Sequence, residues 1–141
     1  MTSMPRRRLE DHVKGWVQRT YLKRDGWWAQ LVLDEFSFLD DLGFTLTGSE
    51  WAGIHFHQKG HYIAFTGPRR DVAIGYDPEA KTIDADLVEH DPQRWIPLDG
   101  LILQHMPDGQ SPPREPLDRQ AVEANVRWWA AGLRRLAPEV L

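Results

Sequence analysis

A chain of 141 residues with 17 basic and 21 acidic side chains carries a net charge of −4 and has the length of one ordinary domain. Its 41% hydrophobic and 27% charged residues sit near the globular average, which excludes wholesale disorder and fibrous repeats. The absence of cysteine excludes a disulfide framework, thiol catalysis and any metal site built on thiolates.

The opening MTSMPRRRLEDH has Arg6, Arg7 and Arg8 with no apolar run behind them. It reads as a flexible basic end over residues 1–8, and as neither a secretory signal nor a membrane anchor. No stretch approaches the ~18 consecutive apolar residues of a membrane helix. The expectation is therefore a cytoplasmic chain with a single domain over residues 9–141 and no membrane partner. Nucleic acid is disfavoured as well, because phosphate binding needs a clustered basic footprint. The pairs Lys23–Arg24, Arg69–Arg70 and Arg134–Arg135 are instead dispersed.

Residues 9–22 carry Leu9, Val13, Trp16, Val17 and Tyr21 at mixed helical spacings, which suggests a short helix interrupted near Gly15. From Trp27 to Gly43 the pattern is a clear amphipathic helix. Trp28, Leu31, Val32, Phe36, Phe38, Leu39 and Leu42 share one arc, opposite Gln30, Asp34, Ser37 and Asp41. Asp25 is placed to cap its start. Gly43 stands where a left-handed residue ends a helix and lets Phe44 fold back on Leu39.

Beyond Gly43 the apolar period falls to two. Phe44/Leu46, Ile54/Phe56, Ile63/Phe65, Val72/Ile74/Tyr76 and Ile83/Ala85/Leu87 form five short alternating runs. TGSE at 47–50, Lys59–Gly60, GPRR at 67–70 and PEAK at 78–81 are the turn signals between them. Such close spacing predicts an antiparallel meander with one buried face. A two-residue turn at Lys59–Gly60 pairs Phe56 with Ile63 and Ile54 with Phe65. The next turns pair Phe65 with Val72, Ile63 with Ile74, and Ile74 with Ala85.

Six prolines punctuate residues 90–116, which reads as loop, one or two helical turns from Asp99, and a Pro-rich connector. A last helix is capped by Asp118, buries Val122, Val126, Trp129, Leu133 and Leu136, and ends before Pro138. The fold class is α+β: a five-stranded antiparallel meander with N-terminal and C-terminal helices packed on one face.

Histidines make the sharpest local cluster. His55, His57 and His61 offer three nitrogens, and His-x-His on a strand is a metal-ligand spacing. The spacing is similar to the first half of the cupin metal motif, but the position of that motif's glutamate is held by His61. With a two-residue turn at Lys59–Gly60, His61 takes the opposite face from His55 and His57, so solvated sheet histidines compete with a metal or small-ligand site. No nucleophile elbow, phosphate loop or His-Glu-x-x-His helix is present, and no cofactor motif is recognisable.

The solvent-facing side of the predicted sheet reads as two rows: His55, Ala64, Ala73 and Asp86, then His57, Tyr62, Gly75 and Asp84. Small residues in mid-strand mark close approach of another group. Either the chain's own loop 90–116 or N-terminal segment, or an external partner, covers them. Of adjacent tryptophans on a helix only one can face the core, so Trp128 rather than Trp129 belongs at the flank. Glu35 falls inside the apolar arc, a position that calls either for a partner such as an arginine of the last helix or for a perturbed titration.

LVLDEFSFLDDLGF, VAIGYDPEAKTIDADLV and VRWWAAGLRRLAPEVL together resemble a diffuse group of small bacterial α+β proteins of unknown function. They are also similar, more weakly, to immunity proteins of bacterial toxin systems. The likeness spans most of residues 27–141 and rests on core and cap residues. It leaves no functional residue to carry over. The leading expectation is a non-enzymatic protein-binding module of the immunity kind, and the alternative is a metal- or small-ligand-binding protein or an enzyme using the His55/His57 sheet face. The partner-binding candidates are Tyr62, Asp84, Asp86 and Trp128, facing a basic partner. A homo-oligomer through the flat sheet face is the further expectation.

Overall fold

The computed structural model describes residues 26–55 and 58–141, with side chains for 26–46 and 61–141. The basic start, the helix expected over 9–22, the Asp25 cap and His57 lie outside the described residues.

Helix α1 spans residues 26–35, and a short helix α2, Phe38–Asp41, follows it. The expected continuous helix is broken at Phe36–Ser37, where bonds tighten to i−3: Ser37 N–H to Asp34 at 3.3 Å and Leu39 N–H to Phe36 at 3.0 Å. The pinch leaves Trp28, Val32, Phe36 and Leu39 all fully buried. Leu42, expected on the apolar arc, is exposed instead. Gly43 has φ +87°, Phe44 N–H reaches Leu39 O at 3.0 Å, and Gly43 N–H reaches Asp40 O at 3.2 Å. This is the expected left-handed ending, with Phe44 and Leu39 both in the core.

The sheet runs β1 Thr45–His55, β2 Gln58–Thr66, β3 Arg70–Asp77, β4 Thr82–Glu89 and β5 Arg94–Pro97, antiparallel throughout and in chain order. The later registers match expectation: Phe65 faces Val72, Ile63 faces Ile74, and Ile74 faces Ala85. The first hairpin does not. Its pairing runs as far as His55 with Gln58, so Ile63 faces Ser49 and Phe65 faces Leu46, while TGSE continues β1. Two register shifts, Leu46/Gly48 and Glu50/Gly53, absorb the glycines. Gly53 pairs across to Gly60, so Lys59–Gly60 is strand rather than turn. The fifth strand is also new, lying in the segment expected as loop.

After β5 come α3, Leu98–His105, and α4, Arg119–Val140. Asp118 caps α4 by accepting from Ala121 N–H at 2.8 Å. The helix passes the expected stop at Pro138. Proline forfeits one backbone bond near the end, while Val140 stays buried and its carbonyl accepts from the Arg70 guanidinium.

One parity of the sheet, Ile63, Phe65, Val72, Ile74, Ile83, Ala85 and Leu87, joins Trp28, Phe36, Leu98, Ile102, Val126, Trp129 and Leu133 in a single core. At ~25 cal/mol per Å² of apolar surface, this burial is the main favourable term in folding. α3 sits close on α4: a Cβ at Gly132 would lie 2.7 Å from Ile102 Cδ1. No helix among the described residues is long and apolar enough to cross a membrane.

Candidate functional site

The other parity of β4 carries the chemistry. Alternation buries Ile83, Ala85 and Leu87, so Asp84 and Asp86 must take the opposite face. Across the sheet one row is Tyr62, Gly75 and Asp84, and the next is Ala64, Ala73 and Asp86. These rows are as expected over three strands. On β1 they end at Glu50 and Gly48, not at His57 and His55, because the first hairpin turns elsewhere.

Gly75 explains one of the small residues. A Cβ there would lie 2.5 Å from Asp84 Oδ1 and 3.8 Å from Oδ2, so the carboxylate tips one oxygen over the glycine. Ala64, Ala73 and Val88 on this face are buried, so the floor is not open to solvent.

Two further groups arrive from other elements. Asp99, in the first turn of α3, accepts from Trp129 Nε1–H and from the Arg114 guanidinium. Arg114 comes from the Pro-rich connector, lies 5.2 Å above the Trp129 ring and donates from Nε to Asn125 Oδ1 at 3.3 Å. Asn125 is fully buried and donates to Pro113 O at 3.2 Å and Ala121 O at 2.8 Å, fixing the connector to α4. Sequence reasoning placed Asp84 and Asp86 together but missed Asp99 and Arg114. The one available signal was an arginine set between Pro113 and Pro116.

Electrostatics follow from this company. Loss of hydration pushes the half-buried Asp86 carboxyl up to about 6, and the negative charges of Asp84 and Asp99 push the same way. Asp84 is exposed on its outer side, yet dehydration of the side against the sheet raises its carboxyl too. The Arg114 charge and the Gly75 backbone draw it partly back. The one guanidinium, Arg114, pairs with Asp99 and acts on Asp84, while the charges acting on Asp86 are negative. Such an arrangement can hold a cationic group, or exchange a proton near pH 6.

His61 does not join this site. His61 is buried rather than solvated, with ring centroids 6.0 Å from both Trp28 and Tyr76. His55 pairs with Gln58, three positions from His61. Among the described residues no group of His, Asp or Glu is arranged to hold a metal ion. Tyr62 is half-buried in its row. Trp128 packs half-buried against the core, while Trp129 is fully buried, as their adjacency requires. Glu35 meets Arg127 of α4 at 3.4 Å, the partner its position calls for.

No family model, no curated protein and no solved structure matches this chain.

Proposed function

We propose that the chain is a non-enzymatic protein-binding module whose Asp84/Asp86 surface engages a basic partner. The carrying observation is the under-compensated charge: Asp86 sits beside Asp84 and Asp99, and its carboxyl is pushed up to about 6. Holding carboxylates together without full counter-charge destabilises the fold. A lysine or arginine supplied by a partner would relieve that cost on binding, which gives both affinity and fast electrostatically guided association. The resemblance to immunity proteins supports a finer version, in which the basic partner is a toxin and binding blocks it.

The test is quantitative capture on the immobilised full chain. A genuine partner is basic, is retained at about pH 7.5, and is released both by the double variant D84N/D86N and by acidification to about pH 5. Acidification acts because Asp86 gains a proton below about 6 and loses its charge. Undiminished retention by the double variant removes this surface from the function.

A further inference from the structure

β5 covers only part of β4. It pairs Asp86 with Pro97, Leu87 with Ile96, Val88 with Trp95 and Glu89 with Arg94, and leaves Thr82–Ala85 as outer edge. Beyond Pro97 the chain turns into α3. The backbone bonds that follow stay local: Met106 N–H to Ile102 O, Gly109 N–H to Met106 O, and Asp118 N–H to Pro116 O. Among the described residues nothing pairs with the backbone of Thr82–Ala85 from that side. Thr82 and Asp84 are exposed.

An antiparallel strand directs alternate N–H and C=O groups outward, and an edge that keeps them unpaired is a template for another strand. We propose that this edge accepts an extended basic segment of a partner as an added strand, its backbone pairing along Thr82–Ala85 and its lysine or arginine side chains meeting Asp84 and Asp86. The inference rests on the binding reading above and specifies its mode.

Charge selects the occupant. A second copy docking on the same edge would bring its own Asp84 and Asp86 against these, and like charges across a strand pair are destabilising. A neutral apolar strand would dehydrate the carboxylates further without compensation. In a basic segment, a lysine or arginine opposite Asp84 meets that carboxylate directly and reaches Asp86 on the diagonal, since the position opposite Asp86 is held by Pro97. Pro97 closes the ladder at the β5 end, since it has no N–H to donate, so the added segment is short.

The probe is a short acetylated and amidated peptide of alternating lysine and threonine, titrated into the full chain. A second peptide of the same sequence is N-methylated at alternate residues, which keeps every charge and removes the backbone donors. The unmodified peptide should bind, shift the amide resonances of Thr82, Ile83, Asp84 and Ala85, and bind at least about tenfold more tightly than its methylated form. Asp84→Asn should weaken both peptides, by about threefold to tenfold. Equal affinity of the two peptides would overturn strand addition and leave the acidic-surface reading standing. Failure of both peptides to bind would overturn the two together.

Discussion

Strand β4 carries two acidic regions that differ in everything except residue type. At its C-terminal end Glu89 meets Arg94 at 2.7 Å and Arg70 at 3.2 Å, and these partners hold its carboxyl below the usual range. Three to five residues earlier, Asp86 and Asp84 are pushed upward by dehydration, with Arg114 too committed to Asp99 to neutralise them. The difference follows from β5. It sets Arg94 opposite Glu89, but only Pro97, which carries no charge, opposite Asp86, and it stops short of Asp84. A carboxylate that stabilises the fold and one that strains it can thus share a strand.

Three substitutions would break or sharpen this contrast. The largest effect belongs to Asp99→Ala, which takes the acceptor from Trp129 Nε1 and from Arg114 together. Urea unfolding should show a loss of about 2–3 kcal/mol, and the apparent pKa of Asp86 should fall once a repelling neighbour is gone. A neutral result would mean that Asp99 does not organise the acidic end.

Asp86→Asn comes next and has the opposite sign. Because the folded group binds its proton more tightly than the unfolded one, its contribution falls as pH rises from about 4 to about 6. Above about pH 7 the variant should be more stable than the parent by about 2 kcal/mol, allowing for partial exposure. The gain should vanish near pH 4. A variant less stable at neutral pH would contradict the strained-carboxylate account.

The smallest change is expected from Glu89→Gln. Its lowered carboxyl contributes stability above the unfolded pKa, and that contribution is lost as pH falls through the folded value. The variant should melt slightly lower than the parent at pH 7 and equally in strong acid. A rise in melting temperature would erase the distinction between the two ends of β4.

Much of the fold was legible where short-range rules dominate. The Gly43 ending, the Asp118 cap and the registers of β2, β3 and β4 each depend on a few neighbouring residues whose chemistry allows one answer. The first hairpin was not legible, because TGSE and Lys59–Gly60 both look like turns while β1 and β2 keep their glycines within bulged strands. β5 is four residues lying between Pro92 and the end of its own ladder at Pro97, too short to show a period. Of the candidate site, Asp84 and Asp86 could be paired by strand alternation alone. Asp99 and Arg114 come from α3 and the connector, and only tertiary packing brings them near. Glu35 shows the intermediate case, where a misplaced charge announced that it needed a partner and Arg127 supplied it.

Gly132 gives the acidic end a depth gauge. Alanine in its place would favour α4 by about 1 kcal/mol, yet its methyl group would press on Ile102 and lift α3 off α4. Because Asp99 rides on α3 while its donor Trp129 rides on α4, the interhelical gap sets the reach of the hydrogen bond that anchors the third carboxylate. One missing methyl group thereby lets the two helices stand close enough for that anchor to form.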